Sequence, residues 1–308
     1  MLKKQNLSRR TFVKGLGLAA ATPLVLESVL AAESDAPLLA KATHKIVTAN
    51  IRVALPEDDA KGLGWGDRKE FCIKVLKAQK ADIIGFQEVL KVQADDLKKA
   101  FPDYMLLGFD GPEMDTHKTG YHGVAKNPIL FKKSRYELNG AGTYWLSETP
   151  NIGGSLAWET ARARHANYLR LKDNKTGTEF RIVNTHLDHI TQAAREKQVE
   201  AIMKECEQYP DDFIQILTGD FNAGVANAVG ALLKKDGWKD SYAAIHGEND
   251  PGFTGHAFKG DDFPKPGRKI DFIFSKGDVT ALDSKIIKDQ LNGKYPSDHY
   301  FVSAELSF

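Results

Sequence analysis

The apolar positions of this chain alternate between two rhythms. Residues 44–52 (HKIVTANIR) are β-branched with a small polar end, which predicts a strand. Residues 66–80 place Phe71, Cys72, Val75 and Leu76 on one face at helical spacing. Residues 81–86 (ADIIGF) form a short apolar run of buried-strand type, and residues 90–100 a polar amphipathic helix that stops near Pro102. From Tyr104 onward the pattern turns β-rich, with strands predicted over residues 128–131, 142–146, 167–171 and 180–184 and a turn over 173–177. The second half repeats the scheme. A helix over 191–207 aligns Val199, Ile202, Met203 and Cys206; a strand follows over 213–217; a helix over 225–235 uses Val225, Ala228, Val229, Leu232 and Leu233; strands close the chain over 269–274 and 300–306. Two long polar loops, 110–122 and 147–164, interrupt the pattern. Helices mixed with strands around a β-rich middle predict one α/β domain: two packed sheets with helices outside.

The first residues do not fit that domain. Ser8-Arg9-Arg10-Thr11-Phe12-Val13-Lys14 resembles the twin-arginine export signal, with Val13 where Leu is usual. The apolar run behind it contains Pro23 and Glu27, so it is too short and too interrupted to span a membrane. Cleavage near Ala31 or Ala32 would follow. The expected organisation is an export signal over 1–32, a linker over 33–43 and one folded domain over 44–308. The signal implies a periplasmic or secreted protein with no transmembrane segment in the mature chain.

Composition then narrows the class. An apolar share of 42% with 27% charged residues is globular, without low-complexity bias. Losing Lys3, Lys4, Arg9, Arg10 and Lys14 with Glu27 turns the formal charge of +1 into about −3. That balance does not indicate nucleic acid as a partner, although a local basic groove stays open. The cysteines, Cys72 and Cys206, each fall in an apolar helical stripe and read as buried thiols.

Chemistry-bearing residues recur just beyond apolar strands: Asn50 in TAN, Glu88 in GFQE, His186 in NTHLDH, Asp220 and Asn222 in LTGDFN, Asp271 in IDFIF, Asp298 and His299 in YPSDHY. Residues at strand ends converge on one sheet edge. Carboxylate and amide oxygens are hard ligands suited to Mg²⁺ or Mn²⁺. Such an ion neutralises a phosphate and stabilises an in-line displacement. Imidazoles can donate to a phosphoryl oxygen or take a proton from water. The set is short of thiolates and clustered histidines, which disfavours a zinc site.

TANIR, GFQEV, NTHLDH, LTGDFN, IDFIF and YPSDHY, in that order, resemble the motif series of the endonuclease/exonuclease/phosphatase superfamily, over essentially all of 44–308. Stretches such as GTYWLSETP and RLKDNKTGTEF are similar to its secreted bacterial branch. The resemblance implies a four-layered α/β sandwich and a Mg²⁺-dependent hydrolase of phosphate esters. It implies Glu88 as main metal ligand, with Asn50 beside it and Asp298 completing that site or a second one. Asp220 would orient the attacking water. His299, paired with Asp271, would act as base or charge stabiliser, and the general base stays open between Asp220 and His299. His186, Asn222 and Arg164 would contact phosphate, with Arg162 as a competitor of Arg164.

One departure stands out. Nuclease-like members carry a Glu just before the segment at Asn127, supporting the histidine equivalent to His186. Here residues 120–126 read GYHGVAK, without a carboxylate. Lys118, His122 and Lys126 are candidates for phosphate contact instead. The substrate stays open among small phosphoesters, nucleic acid and phospholipid head groups; Trp145 and Trp158 flank the loop best placed for an apolar contact. From a different class, a phosphate-ligand binding protein without catalysis would need a broken metal or His/Asp set.

Overall fold

The structure, a computed structural model, describes residues 41–108 and 125–308. The expected export signal, most of the linker, and the loop 110–122 with Lys118 and His122 lie outside the described residues. The elements run β1 (Thr43–Asn50), α1 (Pro56–Asp59), α2 (Trp65–Ala78), β2 (Ile83–Gln87), α3 (Lys91–Ala100), β3 (Tyr104–Leu107), β4 (Ile129–Lys132), β5 (Tyr136–Trp145), β6 (His165–Asp173), β7 (Glu179–His186), α4 (Gln192–Cys206), β8 (Gln215–Asp220), α5 (Ala228–Lys235), β9 (Lys239–Asp240), α6 (Ser241–His246), β10 (Asp271–Lys276), β11 (Thr280–Ile287) and β12 (Phe301–Ser307).

The strands form two mixed six-stranded sheets, ordered β11-β12-β1-β2-β4-β3 and β5-β6-β7-β8-β10-β9. Each sheet is built around one parallel pair, β1 with β2 and β7 with β8. A helix crosses over in each case, α2 in the first and α4 in the second. Strand periodicity then sorts side chains into three apolar cores. Val47, Ala49, Ile84 and Phe86 pack with Cys72 and Val75 outside the first sheet. Ile46, Ile83, Ile182, Ile216 and Ile273 pack between the sheets. Val183 and Leu217 pack with Val199 and Cys206 outside the second. Three cores separate four layers, so the expected α/β sandwich is the fold. Cys72 and Cys206 are free, buried thiols in different outer cores.

Some elements differ from the sequence pattern for physical reasons. β5 begins at Tyr136 rather than 142, because a bulge between Leu138 and Gly140 breaks its alternation. β8 runs through Gly219-Asp220 instead of stopping at 217, and Phe213 instead stacks on Tyr209. α5 starts at Ala228, where the Asn227 side chain accepts from the Val229 N–H. β11 and α6 escaped notice: β11 is an edge strand with Leu282 exposed, and α6 has only six residues. Trp145 is buried and Trp158 half-buried, so the exposed apolar residues of the 147–164 loop are Ile152 and Leu156.

The inter-sheet face changes character along the strands. Moving two residues at a time, β1 reads Ile46, Thr48, Asn50; β2 reads Ile83, Gly85, Gln87; β7 reads Ile182, Asn184, His186; β8 reads Ile216, Thr218, Asp220. The middle step is a buried polar layer. Gln87 Nε2 donates to Asn184 Oδ1 (2.7 Å) and to Thr48 Oγ1 (3.0 Å), Thr218 Oγ1 donates to Asn184 Oδ1 (3.0 Å), and Asn184 Nδ2 donates to the Phe86 carbonyl (2.7 Å). Gly85 makes this approach possible: a Cβ there would sit 2.5 Å from Thr218 Oγ1 and 2.7 Å from Asn184 Oδ1.

Gly85→Ala is therefore expected to lower stability by about 1–3 kcal/mol, measurable by urea denaturation; an unchanged midpoint would contradict the close packing. Acid is expected to destabilise the fold through His44. Its ring stacks on Phe308 (centroids 3.9 Å apart) and bonds Tyr136 Oη through Nδ1 (2.8 Å). Burial, then Arg135, lowers its pKa to about 4. The neutral form is what the fold accommodates, so this contribution is full above pH 6.5 and disappears as pH falls toward 4, a change of about 3 kcal/mol. His44→Gln should flatten the pH dependence of the unfolding free energy across that window.

Candidate active site

The final step of the inter-sheet gradient is a cluster of ionisable groups. Strand register assembles half of it: β7 pairs with β8 at His186 and Asp220, and β8 pairs with β10 at Asp220 and Asp271. The three side chains form one row across the second sheet. From the first sheet, Asn50 ends β1 and Glu88 follows β2. Asn50 Nδ2 donates to Asp220 Oδ2 (2.9 Å) and Glu88 Oε1 (3.2 Å), tying the two sheets together at the site. Its Oδ1 accepts from the Arg52 N–H (3.0 Å), which fixes the amide's orientation and leaves that oxygen one lone pair. Glu88 has φ +64°, a left-handed conformation costly for a side chain of its size. The turn aims its carboxylate back over the strand end, where Oε2 accepts from the Val53 N–H (2.9 Å).

His299 closes the row, its Nδ1 2.9 Å from Asp271 Oδ2 and its Nε2 3.9 Å from Asp220 Oδ2. Asp298 lies beside Arg52, Oδ2 to Nη1 being 3.4 Å, and Arg52 also pairs with buried Asp58 (2.8 Å). Two supports hold this loop. Arg68 is buried in α2; its guanidinium donates to the carbonyls of Ile51, Arg52 (2.5 Å) and Pro296 (3.1 Å), joining the end of β1 to the Asp298 loop. The Asp298 carbonyl accepts from the N–H groups of His256 and Ala257 (2.9 Å each). Thr254 Oγ1 accepts from the Ile270 N–H (2.9 Å), just before Asp271.

On the other flank, His186 Nε2 lies 3.4 Å from Asp220 Oδ2 and 3.0 Å from Asn222 Nδ2. Asn222 has φ +48°, its N–H bonded to Asp220 Oδ1 (2.9 Å). Gly219 permits the pairing of β7 with β8, since a Cβ there would lie 2.4 Å from the Thr185 carbonyl oxygen. Arg164 is buried, with Nη2 3.2 Å from His189 Nδ1. Asp188 fastens the neighbouring loop, accepting from the N–H groups of Ala161 (3.0 Å), Ile190 (3.0 Å) and Thr191 (2.7 Å).

Charge sorts the site into two halves. Burial, then Asp271, pushes Asp220 up to about 7. Burial also raises Asp298, with Glu88 adding to it against His299. Burial opposes ionisation of Glu88 too, but the Val53 N–H, His299, Asn50 and Arg52 outweigh it, so its pKa is lowered. For His299 burial works against the cation, and Asp271, Asp220 and Asp298 overcome it; the pKa rises well above 6.5. His186 moves the other way, lowered by burial and then by Arg164 and His299. One imidazole is held charged and the other neutral, the separation that acid–base chemistry uses.

Carboxylates are in excess at this point, and a divalent cation would compensate them. Glu88, His186 and Asp220 offer ligand atoms within 4.8 Å of one another, as do Asp220, Asp271 and His299. The donors are mainly carboxylate and amide oxygens, and both cysteines lie in distant cores, so a hard ion fits.

All nine expected residues, Asn50, Glu88, Arg164, His186, Asp220, Asn222, Asp271, Asp298 and His299, meet at this end of the sandwich. The sequence reading missed Arg52, Arg68, Asp188 and the 254–257 segment. Arg68 falls inside the helix predicted over 66–80 with no local mark of its role; its burial follows from the Ile51 and Arg52 carbonyls just past β1, which it binds. Asp188 stood in the quoted NTHLDH motif, but its task is loop anchoring.

Comparison with known proteins agrees with this geometry. The endonuclease/exonuclease/phosphatase family model matches residues 47–299. An endonuclease/exonuclease/phosphatase from Bacteroides vulgatus superposes with TM-score 0.76 at 28% identity, covering 86% of this chain and 98% of that one. A mannosyl-6-phosphatase from Bacteroides thetaiotaomicron gives 0.75 at 27% identity, covering 86% and 100%. A D. rerio TDP2 complexed with single-strand DNA product shares the fold, with TM-score 0.66 at 21% identity, covering 86% and 99%. An uncharacterized protein of Acanthamoeba polyphaga mimivirus is 27% identical over 51% of this chain, and the match spans only 59% of the viral protein. With the site's geometry and a family match over most of its length, the chain belongs to the endonuclease/exonuclease/phosphatase family.

Proposed function

We propose that this chain is a divalent-metal-dependent hydrolase of phosphate esters, acting on small phosphomonoesters or phosphodiesters. One observation carries the reading: the row Asp271, Asp220, His186 faces Asn50 and Glu88 across the gap between the sheets, with Asp298 and His299 closing it. Glu88, Asp298 and the free lone pair of Asn50 Oδ1 would hold Mg²⁺, or Mn²⁺ in its place. When bound, the ion neutralises phosphate charge and polarises the scissile P–O bond. Asp220, with a pKa near neutrality, orients the attacking water and exchanges a proton with it. His299 stays protonated against Asp271 and stabilises charge that develops on the phosphoryl oxygens. Arg164 and His186 form the phosphate-facing wall, and Asn222 holds His186 in it.

A compact substrate suits this wall better than a polynucleotide. Among the described residues, Arg164 and Lys126 are buried, whereas a polynucleotide backbone is followed by exposed cations. The similar mannosyl-6-phosphatase, at 27% identity, supports a sugar phosphate as substrate class. The Ser8–Lys14 pattern supports export to the periplasm or medium.

The test is hydrolysis of p-nitrophenyl phosphate, bis-p-nitrophenyl phosphate, mannose 6-phosphate and plasmid DNA, with Mg²⁺, Mn²⁺ or EDTA. Turnover of a small ester that EDTA abolishes is expected; metal binding without turnover of any ester would favour a binding protein. Asp220→Ala should lose about 10²- to 10⁴-fold in kcat with an unchanged far-UV spectrum. Equal activity in the two proteins would remove Asp220 from the mechanism. Export is tested by fractionating bacteria that express the full chain. Arg9→Lys with Arg10→Lys should retain the protein in the cytoplasm.

A further inference from the structure

The catalytic row does not end at His186. One step beyond the Ala166–Thr185 pair, the β6–β7 register sets His165 opposite His186, and the β5–β6 register pairs His165 with Trp145. Directly opposed residues of an antiparallel pair project to the same face, with Cβ atoms about 5 Å apart. The row therefore continues Asp271, Asp220, His186, His165, Trp145. The Trp145 ring closes its far end, 5.2 Å from the His165 ring.

His186 needs a partner that the site described so far does not supply. Asn222 Nδ2 donates to the Leu187 carbonyl (3.0 Å), so the atom beside His186 is a nitrogen, not the amide oxygen. Nε2 of His186 is then the acceptor and its proton sits on Nδ1. That Nδ1 is buried and has no hydrogen-bond partner. A buried N–H without an acceptor is costly. Both ring nitrogens of His165, 1% exposed, are also without a partner. Burial, then Arg164 and Lys126, lowers the His165 pKa to about 3. The ring is neutral and offers one acceptor nitrogen.

We propose that His165 is the positioning residue for His186: it accepts the Nδ1 proton, directly after a small ring rotation or through one bridging water, and so holds the Nε2 lone pair toward the Asn222 amide N–H. A neutral acceptor fixes the tautomer of His186 without drawing it into the charged form, as a carboxylate partner would.

The inference rests on the proposed hydrolase reading for its consequence, but not for its structural test. The first experiment is ¹⁵N NMR of the full chain labelled at its nine histidines, with His186 assigned by His186→Gln. Wild type should show His186 protonated at Nδ1, with Nε2 unprotonated. His165→Leu should shift it to a mixture of tautomers, and His165→Gln, which keeps an acceptor, should restore the wild-type pattern. On p-nitrophenyl phosphate, His165→Leu should lower kcat about tenfold or more with KM nearly unchanged, and His165→Gln should recover most of it. A wild-type His186 protonated at Nε2, or a tautomer unmoved by His165→Leu, would overturn the proposal. If His165→Leu fails to fold, the wild-type tautomer and the Gln variant still decide it. Absence of turnover in every protein with the expected tautomers would instead count against the hydrolase reading.

Discussion

The constraint on which this molecule depends is the change from apolar to polar along the gap between its sheets. Two sheets can pack face to face only if the groups they bury match. Isoleucines do this at one end, and hydrogen-bonded Thr48, Gln87, Asn184 and Thr218 do it in the middle. Beyond that hydrogen-bonded polar layer, carboxylates and imidazoles are held close together in largely buried positions. The Asn50 amide, bonded to Asp220 from one sheet and Glu88 from the other, is the point where packing becomes chemistry. A buried polar layer is tolerable only when its members are paired, so it also fixes the register that builds the site.

The two parallel pairs give the architecture its logic. β1 with β2, and β7 with β8, each end at the same side of the sandwich, so their terminal residues meet although they lie far apart in sequence. Antiparallel β10 contributes through its first residue, Asp271, because it runs the opposite way. Loops then need only supply Asp298 and His299, and Arg68 with the 254–257 segment fixes those. Environment separates the roles of similar groups: acidic neighbours keep His299 charged, whereas burial and basic neighbours keep His186 neutral.

Much of this was legible in the sequence. The β-branched runs leading toward Asn50, Glu88, His186 and Asp220 mark the strands, because alternation is a local signal; the site was expected from the order of the motifs that follow those runs and the family they resemble. What stayed hidden was set by tertiary contact. Gly85 reads as a weak strand residue until Thr218 and Asn184 are seen against it. Gly219-Asp220 reads as a turn until β7 lies alongside. Arg68 reads as surface charge until the carbonyls of Ile51 and Pro296 surround it. His165 carries no motif at all; only the register across β6 and β7 brings it to His186.

The proposed hydrolysis requires these strand ends to form one cation-binding centre. The most direct measurement is anomalous diffraction from crystals of the protein grown with Mn²⁺. A peak bonded to carboxylate oxygens of Glu88 and Asp298, at about 2.2 Å, is expected. Mn²⁺ absent from this end of the sandwich, or bound only at surface carboxylates elsewhere, would contradict the account.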